Sequence, residues 1–128
     1  NPDSILKEKN SGNECQDVVK LLEGEIIIQK NLNSAFIGTN LKELLDNAKI
    51  TNLVIVGLTT DHCVSTTTRM AGNFGYETYL VSDATATFNK KGVNGEEFSA
   101  EIIHQTALAS LNGEFAQVVT SEFIKGMV

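Results

Sequence analysis

The residues best equipped for chemistry lie together in Gly57-Leu58-Thr59-Thr60-Asp61-His62-Cys63-Val64, directly after the apolar run Asn52 to Val56. A cysteine in the first turn of a helix that follows a buried strand meets unpaired N–H groups and about half a positive charge. A thiol in that setting ionises readily, the thiolate is a nucleophile, and the same N–H groups can hold the oxyanion of a tetrahedral intermediate. The plainer reading of Cys63 is a small buried apolar residue, the usual role of a free cysteine. Cys15 has no comparable setting and reads as a bystander. Lys30 closes a second apolar run, Glu25 to Gln29. It either marks where a strand reaches water or extends over the sheet edge, where its charge would favour a thiolate. His62 suggests a Cys/His dyad, but successive helical side chains point about 100° apart, so no direct hydrogen bond to Cys63 is expected. His62 therefore reads as a pocket wall or a helix-start residue without chemistry. Asp61 reads as an N-cap, His104 as structural, and Asp83 as a loop-pinning carboxylate with catalysis as the alternative.

A parallel sheet would position these groups. Glu25–Lys30, Asn52–Gly57, Glu77–Val81 and Ala116–Thr120 read as strands, since they are apolar and rich in β-branched residues. Helices are expected over Leu41–Ala48, capped by Thr39 or Asn40, over His62–Asn73, stopped by Gly75, and from Ser99 to Asn112, stopped by Gly113. The last of these should bury Ile102, Ile103, Ala107, Leu108 and Leu111. A short helical turn is expected over Glu14–Leu22, a loop over Ser82–Asn94, and a plain tail after Thr120. Alternating strands and helices imply βαβ units. Strands that are apolar without alternation imply a sheet covered on both faces. Ligands in such folds bind beyond the carboxyl ends of the strands, here after Gln29, Gly57 and Val81.

Composition sets outer bounds. At 128 residues with 41% apolar, the chain can bury a core as a single domain. Ten Lys and Arg against sixteen Asp and Glu give a net charge of −6, which argues against nucleic-acid binding. No apolar run is long enough to span a membrane. Two cysteines without a Cys-x-x-Cys or Cys/His metal spacing fit a reducing, cytoplasmic setting.

Val54-Ile55-Val56-Gly57-Leu58-Thr59-Thr60-Asp61-His62-Cys63-Val64-Ser65-Thr66-Thr67, continued by Arg69-Met70-Ala71-Gly72-Asn73 and Asp83-Ala84, closely resembles the isochorismatase-like cysteine hydrolase superfamily. Lys30 with Ser34-Ala35-Phe36 and Gly38-Thr39-Asn40-Leu41 is similar to its lysine segment, and Asn1-Pro2-Asp3-Ser4 to one of its loops. The resemblance implies a three-layer α-β-α, Rossmann-like fold and an Asp–Lys–Cys triad. By that resemblance Cys63 is the nucleophile and Lys30 its cationic partner. The same resemblance implies a cis Leu58–Thr59 peptide and an oxyanion hole formed by the N–H groups of Thr59 and Cys63; His62 and Phe36 are the candidate substrate-pocket residues.

The implied activity is cleavage of a C–N bond in a small amide or carbamoyl compound through a Cys thioester, without a cofactor. Isochorismatase-type vinyl-ether hydrolysis and a non-catalytic binding or oligomer subunit are the alternatives. Because many isochorismatases lack the cysteine, its presence favours the amide reaction. The family's aspartate and metal ligands belong to a first β-α-β portion that this sequence does not match, so no metal ligand is assigned. The chain thus corresponds to the C-terminal part, about two thirds, of one domain whose central strands lie elsewhere. With no initiator Met, it is expected to be a fragment, neither stably folded nor active without that N-terminal segment. Homo-oligomers are the family's habit.

Overall fold

The computed structural model describes residues 20–128. Cys15 and most of the turn expected over Glu14–Leu22 lie outside these residues. The elements are α1 (Leu41–Asn47), β1 (Asn52–Leu58), a π-helical turn (Thr60–Val64), α2 (Ser65–Asn73), β2 (Glu77–Ala86), β3 (Lys90–Lys91), β4 (Glu97–Phe98), α3 (Ala100–Leu111), β5 (Gln117–Val119) and α4 (Ser121–Met127).

Strands β1, β2 and β5 form a parallel sheet in that order, while β3 and β4 pair as a separate antiparallel hairpin inserted between β2 and α3. Helices pack on both faces. On one face Leu80 of β2 meets Val64, Leu108, Leu111 and Ala116, with Ile55 and Val118 against them. On the other, Tyr79, Val81 and Val119 pack against Ile124 of α4. Each fully buried leucine in this core contributes about 1.5–3 kcal/mol relative to exposure. Gly57 interrupts the β1–β2 register, which shifts between Ile55 and Gly57, and its φ of +123° is a backbone state that side chains resist.

Several expectations are corrected. Residues 25–30 form no strand, and Ile26 and Ile27 are 68% and 66% exposed. A β-branched run becomes a strand only when a neighbour satisfies its backbone, and no described strand pairs with it. Strand β1 alternates in burial, leaving Val54, Val56 and Leu58 exposed, so one of its faces is bare. Ile102 is exposed at the outer edge of α3, whose buried stripe centres on Leu108 and Leu111. Within the expected loop, β2 runs on to Ala86 and the hairpin follows. The expected tail is α4, capped by the Thr120 hydroxyl, which accepts from the Phe123 N–H. No helix of the described residues is long and apolar enough to cross a membrane.

Candidate active site

Cys63 lies at the carboxyl end of β1. The Leu58–Thr59 peptide is cis, and Thr59 is extended at φ −99° and ψ 149°. The chain then enters the π-helical turn, in which the Thr59 carbonyl accepts from the N–H of His62 at 3.1 Å and of Val64 at 3.3 Å. The turn runs straight into α2.

His62 Nδ1 lies 3.6 Å from Cys63 Sγ. This corrects the expectation that the two side chains diverge. A π turn closes each hydrogen bond over five residues rather than four, and its wider winding lets neighbouring side chains meet. The thiol is partly buried, and the imidazole is exposed.

Two contacts anchor the turn to distant parts of the chain. Thr60 is fully buried, and its hydroxyl is 2.8 Å from His104 Nδ1 on α3. Asp61 accepts from the Thr87 hydroxyl at 2.6 Å and forms an ion pair with Lys90 of β3. Burial opposes ionisation of Asp61, but the bonds from Lys90 and Thr87 outweigh it and hold the carboxyl below its ordinary range. Asp61 is thus no N-cap, and the turn has no side-chain cap at all. His104 has the structural role expected of it. Asp83 pins a loop, accepting from the Ser121 N–H at 2.7 Å and hydroxyl at 2.6 Å.

No hydrogen bond joins the other expected site residues to the thiol. Lys30 is exposed, its ammonium donates to the Leu32 carbonyl at 3.0 Å, and no hydrogen bond joins it to Cys63. Phe36 is buried edge-on to Phe74 at 5.3 Å and stacked on Tyr76 at 6.1 Å. Phe74 caps the far end of nine-residue α2, roughly 14 Å of helix rise from the Cys63 turn. The segment carrying Phe36 docks on α2 through Ala35 N–H to Thr67 Oγ1 at 3.0 Å and Ser34 Oγ to Met70 Sδ at 2.8 Å. A cleft of about 700 Å³ opens between residues 27–29 and the start of α1, and neither Cys63 nor His62 lines it. Among the described residues, no three His, Cys, Asp or Glu side chains converge as a metal site.

Sequence reasoning missed Thr87 and Lys90. Both fell in a stretch read as loop, and nothing local marks them as partners of Asp61.

Residues 1–123 match the family described as Isochorismatase domain. The chain is 50% identical over 121 residues to the uncharacterised isochorismatase family protein YrdC of Bacillus subtilis, covering 94% of this chain and 65% of that protein. It is 28% identical over 130 residues to Nicotinamidase 3 of Arabidopsis thaliana, covering 98% and 58%. A solved structure of an isochorismatase-family protein from Chromobacterium violaceum superposes with a TM-score of 0.92 at 37% identity, covering 98% of this chain and 65% of that one. The chain therefore spans somewhat under two thirds of the length of these relatives. A thiol at the carboxyl end of a parallel strand, the matched residues and the superposition agree: this chain belongs to the isochorismatase family.

Proposed function

We propose that the chain carries the nucleophile of a cysteine hydrolase that cleaves the C–N bond of a small amide or carbamoyl compound. The observation that carries this reading is the placement of Cys63, partly buried on a turn at the carboxyl end of β1 and in contact with an imidazole. Similarity to a protein named as a nicotinamidase supports an amide as the substrate class.

In the proposed reaction the Cys63 thiolate forms an S–C bond to the carbonyl carbon, and the C=O electron pair moves onto oxygen. The backbone N–H groups of Thr59 and Cys63 hold that oxyanion. Its collapse breaks the C–N bond and the amine leaves with a proton. Water then adds to the thioester, the S–C bond breaks, and the carboxylic acid departs. Lys30 is the cationic partner, exchanging its bond to Leu32 for the neighbourhood of the thiolate. The proton donor is a carboxylic acid on a further segment of the same domain, seated along the open edge of β1. Among the described residues β1 is an end strand of the β1-β2-β5 sheet, and that open edge and the greater length of the relatives support this seat.

Cys63→Ala tests the reading, with ammonia release measured from nicotinamide, an N-carbamoyl amino acid and a ureido acid. Turnover should fall roughly a thousandfold or more while substrate binding remains measurable by calorimetry. Ammonia release that survives the substitution refutes the cysteine mechanism.

A further inference from the structure

The chain contains the triplet Asn-Gly-Glu twice, as Asn94-Gly95-Glu96 and as Asn112-Gly113-Glu114. An asparagine followed by glycine is chemically labile, because no Cβ on the next residue shields its backbone nitrogen from the side-chain amide carbon. The two copies share a local sequence and differ in their surroundings.

Asn94 lies at the tip of the hairpin between β3 and β4. The Gly92 N–H donates to the Glu96 carbonyl at 2.8 Å and the Gly95 N–H to the Gly92 carbonyl at 3.1 Å, closing a loop of Val93, Asn94 and Gly95. Hairpin loops of this length end in a left-handed residue, and Gly95 takes that place at φ +84°. The turn thus demands the very glycine that makes Asn94 labile. Val93, Asn94 and Gly95 are all exposed. Among the described residues no hydrogen bond engages the Asn94 side-chain amide; its backbone N–H donates to Glu96 Oε2 at 3.0 Å. Strands β3 and β4 are two residues each and pair only with one another, so the tip opens at little cost.

Asn112 is exposed as well, but it is held. Its Oδ1 accepts from the Val118 N–H at 3.0 Å, its own N–H donates to the Leu108 carbonyl at 2.9 Å, and the Gly113 N–H donates to the Ala116 carbonyl at 2.9 Å. Leu111 and Ala116, on either side, belong to the core. Freeing this amide therefore means opening the junction of α3 and β5.

We propose that Asn94 is a site of spontaneous deamidation and that its hydrogen bonds protect Asn112. The Gly95 nitrogen forms a bond to Asn94 Cγ, the bond from Cγ to the side-chain nitrogen breaks, and ammonia leaves with the proton given up by the Gly95 N–H. Water then opens the resulting succinimide at either carbonyl, giving aspartate or its isoaspartyl isomer. Both products add a negative charge beside Glu96. The isoaspartyl form also routes the backbone through an extra carbon, in the turn that sets the pairing of Lys90 with Phe98 and Lys91 with Glu97. The proposal is independent of the cysteine chemistry.

The test is incubation of the folded full chain at mildly alkaline pH, followed by cleavage after glutamate and mass spectrometry. That cleavage puts the two sites in separate peptides, residues 78–96 and 102–114. The first should gain the mass of an amide-to-acid exchange about tenfold faster than the second, or more. In denaturant the two rates should converge, because the local sequences match. Comparable rates in the folded protein overturn the proposal, and so does a difference that persists undiminished in denaturant. Asn94→Ser should abolish the gain in residues 78–96. A gain that persists there in the variant belongs to another residue, such as Asn89, and also overturns the assignment.

Discussion

Gly72→Ala sets two opposed effects against each other. Gly72 lies inside α2, where alanine is the better helix former by about 0.8–1 kcal/mol. A Cβ at this position would, however, stand 2.7 Å from the Phe115 carbonyl oxygen and 3.0 Å from the Phe115 Cα. Both are backbone atoms of a segment fixed by the Phe115 N–H bond to Leu111 O at 3.1 Å, so no side-chain rotation relieves the contact. Overpacking of this kind costs about 1–3 kcal/mol, more here because backbone must move. The clash wins, and the net loss is about 1–2 kcal/mol, a Tm lowered by roughly 3–8 °C for a domain of this size. Gly126→Ala is the control, since nothing lies within 4 Å of its Cβ position in α4. It should hold or gain up to about 1 kcal/mol. Melting curves followed by circular dichroism at 222 nm measure both. A Gly72→Ala protein that melts at or above the parent would refute the reasoning, because propensity alone would then govern the position.

Thr60→Val keeps the buried volume but strips the partner from His104 Nδ1, and should cost about 1–3 kcal/mol in denaturant unfolding. An unchanged midpoint would show that this bond does not anchor the turn. Asp83→Asn bears on acid stability. The Ser121 hydroxyl first, then the Ser121 N–H, hold the Asp83 carboxyl below its ordinary value of 3.8 against a smaller burial effect. A group depressed on folding stabilises fully above its unfolded pKa and loses that stabilisation as pH falls through the lower folded one. Asp83→Asn should therefore melt below the parent at neutral pH, with the gap closing below about pH 4. A gap that stays constant into strong acid contradicts the assignment.

What could be read from the sequence follows the range of the forces involved. Helix α3 was legible because its signals are local: Ser99 caps by accepting from the Ile102 N–H, and Gly113 ends it at φ +81°. Strands β1, β2 and β5 showed as β-branched runs. The run at residues 25–30 looked the same and forms no strand, because a strand depends on its neighbour. Helix α4 was missed, since seven residues with little apolar period leave no trace beyond a capping Thr120. The part of Asp61 was illegible for a different reason: its partner lies 29 positions onward on a two-residue strand. Cys63 itself stood out by position. Its contact with His62 did not, because α-helical spacing was assumed where the chain makes a π turn.

The turn that bears Cys63 is suspended from residues that the ribosome delivers much later, Thr87 and Lys90 beyond β2 and His104 on α3. Such distant contacts are among the slower ones to form, since their loops must close first. During synthesis the thiol therefore emerges without its setting, and it gains one only as the inserted hairpin and α3 dock. The shape of the Cys63 turn is thus set by the docking of the hairpin and α3 rather than by the segment that encodes it.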